Sequence, residues 1–254
     1  MPRLALLSLA CLLTACTATK AQQTPLPPAK LAPLTQSVTT SNIEIPALEP
    51  INVPTVITPL PGAIPPSIML EVPFSSQAPH GNWDEPYQNA CEEMSLLMVT
   101  HFLGGTSFAD ADQADREVKE FTTWMAKTGH GISITLEELA RIAEQRNPAY
   151  RAVISEDVSL ISMQRLLAAG KPIIVPAAGR MLGNPFFNGD GPWYHMLVVV
   201  GYDREFFYTN DPGTGKGKLF QYRHDVLLNA IHDWTGKDEL IAEGNKRLLT
   251  LELR

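Results

Sequence analysis

Cys91, His195 and Asp211 are the residues of this chain whose types and order suit nucleophilic chemistry. A thiol attacks as its thiolate, so it needs a base to take its proton. An imidazole serves best in that role when a carboxylate on its far nitrogen fixes the tautomer. Each residue alone has a plainer explanation. A lone Cys beside an apolar helix is often a small buried hydrophobe, and a His opening an apolar strand is often a hydrogen-bonded core residue. The three together favour the chemical reading, because His195 starts one expected strand and Asp211 ends the next. Antiparallel pairing brings the end of the second strand back beside the start of the first. Asn210 is the rival to Asp211, and since strand side chains alternate, only one of the two faces His195.

The stretch 71–105, EVPFSSQAPHGNWDEPYQNACEEMSLLMVTHFLGG, has to position the sulfur. It reads as a short strand ending at Pro73, a polar loop, and a helix with Cys91 in its first turn. Asn89 is the expected N-cap, and Glu92 three positions on completes a box-like start. Cys91 then lies among N–H groups without helical partners at the positive end of the helix, which favours thiolate over thiol. Met94, Leu97, Met98, Val99 and Phe102 recur at helical spacing, so the sulfur is expected at the exposed tip of a helix rooted in the core. Glu92 and Glu93 argue the other way: two carboxylates oppose a neighbouring thiolate unless they turn away or pair with a cation.

Upstream, MPRLALLSLACLLTAC has one Arg and then an apolar run too short to span a bilayer, the pattern of a secretion signal. Leu13-Thr14-Ala15-Cys16 resembles the bacterial lipoprotein cleavage box, which implies removal of residues 1–15 and a lipid of palmitate-type acyl chains on Cys16. The plainer alternative is an ordinary cleaved signal. Thr17 follows, with no Asp there to retain the protein at the inner membrane, so the expected location is the cell envelope, and the outer membrane in a Gram-negative host. Of the three Cys residues, Cys11 leaves with the signal and Cys16 carries lipid, so Cys91 has no disulfide partner in the mature chain. Residues 16–66 are rich in Pro, Thr and Ala with few charges, and read as an extended tether after the lipidated Cys. Where it is polyproline-like it advances ~3.1 Å per residue. The segment IEIPALEPINVPTVI has the β-branched content to add a strand instead.

Residues 67–254 suffice for one domain with a sizeable core. A helix is expected over Phe108 to Lys127, with its alternating charges on a solvated face, and another after Thr135, which caps through Glu138. A strand at Tyr150 to Ile154 and a helix from Ser159 closed by Gly170 follow. KPIIVPAA is apolar on both faces and reads as a central strand. The loop from Gly179 to Trp193 is rich in Gly, Pro and Asn and carries Phe186, Phe187 and Trp193. Strands are then expected at Tyr194 to Tyr202, Phe206 to Asn210, Leu219 to Tyr222 and RLLTLEL, with helical stretches around Asp225 to Ile231 and Lys237 to Ala242. Helices come mainly first and strands mainly last, which gives an α+β class with the N-terminal helical part packed on an antiparallel sheet.

VPFSSQAPHGNWDEPYQNACEE, followed by WYHMLVVVGYD and YTNDPGTG, resembles the papain-like cysteine peptidases of family thirty-nine, the bacteriocin-leader (double-glycine) peptidase group, in its stand-alone bacterial branch. The resemblance covers about Val72 to Gly215. It implies a papain-like fold, peptide-bond cleavage without metal or cofactor, Cys91 as nucleophile, His195 as base and later acid, and Asp211 as the orienting carboxylate. It also implies an oxyanion-hole Gln beside the Cys91 N–H. Family members place that Gln six residues before the Cys, where this chain has Glu85. Gln77 further upstream is favoured because it directly follows the expected strand, and Gln88 is the alternative. The Gly that commonly follows the Cys is replaced by Glu92, and no transporter domain accompanies the peptidase region. Trp83, Gln88, Phe187 and Trp193 are expected to line the substrate cleft.

The leading expectation is a lipid-anchored cysteine peptidase of the cell envelope acting on peptides or proteins, with the peptide part of peptidoglycan a candidate substrate.

 It is expected to work as a monomer, held at the membrane through its N-terminal lipid. The same acyl-enzyme could end in transfer to an amine, as in transpeptidases, and a peptide-binding envelope lipoprotein without turnover is the reading from another class. The net charge of −7 is mild and the basic residues are scattered, which gives no footprint for nucleic acid. The six His residues show neither HExxH nor paired-Cys spacing, and the Gly-rich turns NGDG and DPGTG lack the run of carboxylates that calcium needs, so no metal is expected.

Overall fold

The structure is a computed structural model and describes residues 63–254. The signal, Cys16 and the tether as far as residue 62 lie outside the described residues. Packed structure already includes Ile64, and the Tyr202 hydroxyl donates to the Pro65 carbonyl at 2.7 Å.

Two apolar runs form the middle of the fold. Strands β3 (Ile173–Ala178) and β4 (Tyr194–Tyr202) are buried along their whole length, as expected for strands covered on both faces. Around them, β1 (Ile68–Met69), β2 (Tyr150–Ser155), β5 (Phe206–Asn210), β6 (Phe220–Arg223) and β7 (Leu248–Leu253) complete a seven-stranded antiparallel sheet. Its order is β2-β7-β3-β4-β5-β6, with β1 also paired to β4.

Side-chain alternation divides the core. Met196, Val198 and Val200 of β4 face a layer containing α1 (Cys91–Leu103), α2 (Ala111–Lys127) and α3 (Leu136–Arg146). Leu197 and Val199 face the opposite layer, where Met163 and Leu167 of α4 (Leu160–Ala168) and Leu227 and Ala230 of α5 (His224–Ala230) pack. The α+β class is therefore as expected, and the N-terminal helices do pack on an antiparallel sheet. The later helices additionally cover its other face, which the coarse ordering of helices before strands did not convey.

Local signals explain most boundaries. Thr135 and Ser159 cap α3 and α4, accepting hydrogen bonds from the N–H groups of Glu138 and Ser162. Two expectations need correcting. The first strand is Ile68–Met69 and ends before Glu71. The α1 N-cap is Ala90, with no side-chain cap, because a short 3-10 turn over Tyr87–Asn89 leads straight into the helix. Asn89 instead donates to Glu85 Oε1 at 2.6 Å.

Candidate active site

Helix α1 carries Cys91 at its first position, and residues 91–99 are all buried. The helix is thus enclosed on every side rather than half-exposed, and Cys91 itself is only 7% exposed. The sulfur lies at the floor of a cleft and not at an exposed tip. That cleft, of about 870 Å³, is lined by Cys91 and His195 together with the expected Trp83, Gln88, Phe187 and Trp193.

His195 is the second residue of β4 and sits opposite Ala177 of β3. By alternation it shares a face with Leu197 and Val199, whereas Cys91 belongs to the layer on the other face. The two can meet only around the N-terminal end of β4, where the cleft opens. The imidazole is held tightly there. Its Nε2 lies 2.7 Å from Asp211 Oδ1, and the Phe187 ring stands edge-on with a centroid separation of 5.3 Å. A Cβ on Gly213 would come within 2.7 Å of His195 Cε1, so the Asp211-Pro212-Gly213 turn needs glycine at its third position to close on the ring.

Asp211 follows directly on β5, and β5 pairs antiparallel with β4 up to Val198 opposite Asn210. This hairpin brings Asp211 to His195 as expected, and it settles the orientation of its neighbour. Asn210 points away, donating to the Val72 carbonyl and accepting from the Leu219 N–H. The Asp211 carboxylate is fully buried yet accepts four hydrogen bonds: from His195, the Gly213 N–H at 2.9 Å, Tyr222 Oη at 2.7 Å and Asn184 Nδ2 at 3.1 Å. Burial alone would raise its pKa, but the His195 charge and these donors outweigh it and hold the carboxyl below its usual range. Asn184 and Tyr222 were not anticipated. Both are distant in sequence from the catalytic motifs, and Asn184 sits in the Gly-rich loop, where an Asn reads as a turn former.

The sulfur's surroundings differ from expectation. Cys91 Sγ donates to Glu92 Oε2 at 3.0 Å. Glu92 and Glu93 are 2% and 5% exposed, and neither takes part in an ion pair with Lys or Arg among the described residues. They neither turn away nor find a cation. Burial first, and then Glu92 and Glu93, push the Cys91 thiol well above its ordinary value, against which the Met196 backbone works in the other direction. The helix start is therefore not enough to favour the thiolate in this arrangement. Burial also raises both carboxyls, Glu93 to about 8.

Gln77 is buried and its amide donates to the carbonyls of Tyr87 and Gln88, at 2.8 and 3.1 Å. Two carbonyl partners fix which end is nitrogen. The expectation that this amide aims its hydrogens at the reacting centre is not met here, because both are spent on holding the 3-10 turn before Cys91. Its Oε1 is buried without a partner. The side chain of Gln88 lines the cleft and is exposed.

Comparison with known proteins agrees with this architecture. A sequence profile described as the Peptidase_C39 like family matches residues 69–234. Among solved structures, a C39-like peptidase from Bacillus anthracis superposes with a TM-score of 0.50 at 16% identity, covering 74% of this chain and 98% of that one. Xylellain, a cysteine protease from Xylella fastidiosa, is matched at a TM-score of 0.32 and 12% identity, over 76% of this chain and 87% of its own. No curated protein matches. The family profile spans well over half of the chain and contains Cys91, His195 and Asp211, so this protein belongs to the Peptidase_C39 like family and has the α+β fold of papain-like cysteine peptidases.

Proposed function

We propose that the protein is a cysteine peptidase of the cell envelope, anchored through lipid on Cys16, in which Cys91 attacks a peptide carbonyl. The observation that carries this reading is the buried His195–Asp211 pair at 2.7 Å, opening into the same cleft as Cys91. With Nε2 committed to Asp211, the imidazole has Nδ1 left to take the thiol proton. For the sulfur to reach that nitrogen, the Cys91 side chain has to rotate away from Glu92 Oε2, which it contacts. Attack then forms a tetrahedral intermediate, and the imidazolium returns its proton to the leaving amine. Water releases the acyl group from the sulfur in the second half of the cycle.

The Cys91 backbone N–H, at the start of α1 with no side-chain cap, is a donor suited to the developing oxyanion. Gln88 is the side chain available to join it, and Gln77 supports the turn from behind. Trp83, Phe187 and Trp193 give the cleft apolar walls for substrate side chains, with Arg180 stacked on Trp193 at 3.5 Å. Such walls suit a peptide with bulky apolar residues near the cut.

The test is hydrolysis of a mixed peptide library by the wild-type chain, with products read by mass spectrometry. Cleavage that disappears in Cys91→Ala and falls at least a hundredfold in His195→Ala supports the reading. Equal cleavage by wild type and Cys91→Ala, or none by any form, rejects it.

A further inference from the structure

The carboxyl of Glu92 stands where a charge would be most harmful to a thiolate, and among the described residues no Lys or Arg pairs with it. Its Oε2 contacts the sulfur, and its Oε1 accepts one long hydrogen bond from the Ile134 N–H at 3.4 Å. Asp211, at the far side of the imidazole, has four donors. The titratable groups facing Glu92 are Cys91 and Glu93 on its own helix and His195 and Tyr194 on β4. The segment before α3 offers only the Ile134 backbone, and Asp233, from the segment after α5, acts on Tyr194. Of these groups only His195 can carry positive charge.

One S–O contact accommodates a proton in two ways. With Glu92 ionised, the thiol donates to the carboxylate and keeps its proton. With Glu92 protonated, Oε1 still accepts from Ile134 as a carbonyl oxygen, while the Oε2 hydroxyl is free to donate to the sulfur. We propose that Glu92 is a positioning residue that gates the nucleophile with its own proton: the carboxylate holds Cys91 as an idle thiol, and the carboxylic acid releases it. This rests on the cysteine-peptidase reading above.

The proton count closes. Opening the gate takes one proton from solvent onto Glu92. The thiol then passes its own proton to His195 Nδ1, and the Glu92 hydroxyl donates a hydrogen bond to the thiolate so formed without giving up its proton. Burial keeps Glu92 in its acid form above the ordinary carboxylate range, so the gate closes as pH rises beyond that range. This is opposite to a simple thiol, which becomes more reactive with rising pH.

The experiment measures iodoacetamide alkylation of Cys91 in the full chain between about pH 5 and 10, reading the Cys91 peptide by mass. The wild-type rate is expected to pass through a maximum and fall at least tenfold on the alkaline side. In Glu92→Gln the amide keeps a donor for the sulfur and an acceptor for Ile134, and the rate stays within threefold of its own maximum there. A second measurement needs no variant: the infrared S–H band of the wild type, which for an ordinary thiol only weakens with rising pH, grows as the gate closes. A wild-type rate and band that follow ordinary thiol titration overturn the gate, as does a Glu92→Gln profile that superimposes on the wild type while His195→Ala still lowers the rate. If His195→Ala matches the wild type at every pH, the peptidase reading itself falls and the gate falls with it.

Discussion

Replacing Asp211 with Asn tests the part of the site on which the chemistry depends most. The substitution keeps shape but removes the charge facing the imidazolium formed when Cys91 gives up its proton. Two unit charges about 4 Å apart at an effective dielectric near 20 attract by about 4 kcal/mol. At about 1.4 kcal/mol per factor of ten, the thiolate–imidazolium pair becomes roughly a thousandfold less populated. Hydrogen bonding makes matters worse. The new amide must present its NH2 either to His195 or to the side occupied by Tyr222 Oη and Asn184 Nδ2. Tyr222 can turn to accept, but the Asn184 amine cannot, which costs a further 1–3 kcal/mol of stability on the order expected for one unsatisfied buried group. We expect kcat/KM for peptide hydrolysis to drop by about 10³ with little change in KM, and Tm to fall by several degrees. The wild-type Asp211 carboxyl lies below its unfolded value, so its stabilisation is complete above the ordinary carboxylate range and fades as pH falls through the folded value. The Tm difference between wild type and Asp211→Asn should therefore shrink in acid. Activity within threefold of wild type across the pH range would refute the assignment of Asp211 as the imidazole's counter-ion.

Gly213→Ala places a methyl 2.7 Å from His195 Cε1, so the ring must shift; hydrolysis should fall at least tenfold while circular dichroism stays native. Gly217→Ala is harsher, because its Cβ would lie 1.7 Å from the Asp211 carbonyl oxygen, and thermal melting should show a loss of about 3 kcal/mol or more. Glu93→Gln should stabilise the protein near neutral pH. Burial pushes the Glu93 carboxyl up to about 8 from 4.5 for a free side chain, so the native state holds an extra proton between those values and loses stability as pH rises through them. The gain, on the order of 2–4 kcal/mol by pH 8, should vanish near pH 4, and a pH-independent gain in Tm would contradict it.

The parts legible in the sequence are those set by local rules. Hairpin geometry brings the end of β5 back to His195, while alternation alone left Asn210 and Asp211 as rivals that the structure decides in favour of Asp211. Caps at Thr135 and Ser159, and the uninterrupted apolar run of β3, follow from hydrogen-bond and burial patterns within a few residues. What was not legible depends on contacts between distant segments. The α1 start is set by a 3-10 turn that Gln77 ties down from ten residues away, which displaces Asn89 from its capping role. Asn184 and Tyr222 converge on Asp211 from a loop and from β6, and no spacing rule links them. The burial of Cys91 follows from α1 being enclosed all round; Leu96, outside the stripe of Met94, Leu97, Met98 and Phe102, was the local sign of it.

Three buried carboxyl groups lie in and behind this site, Asp211 and Glu92 near the imidazole and Glu93 beside Glu92, and their surroundings set them apart. Asp211 ends a strand at a turn, where the Gly213 N–H, two side-chain donors and His195 converge, so its charge is solvated by the protein itself. Glu92 and Glu93 lie in the first turn of a buried helix, where the dipole favours an anion but the surrounding layer is apolar. Glu92 gets one distant N–H, and Glu93 Oε2 gets no partner. A helix terminus contributes about 0.3–1 kcal/mol, up to ~2 when partly buried, whereas burying an unpaired carboxylate costs several kcal/mol. Desolvation wins for these two and solvation by donors wins for Asp211, so identical chemistry is divided into one carboxyl held below its usual range and two raised above it. The Cys91 thiol beside the latter two is governed less by the helix on which it sits than by its burial and then by these two carboxyls.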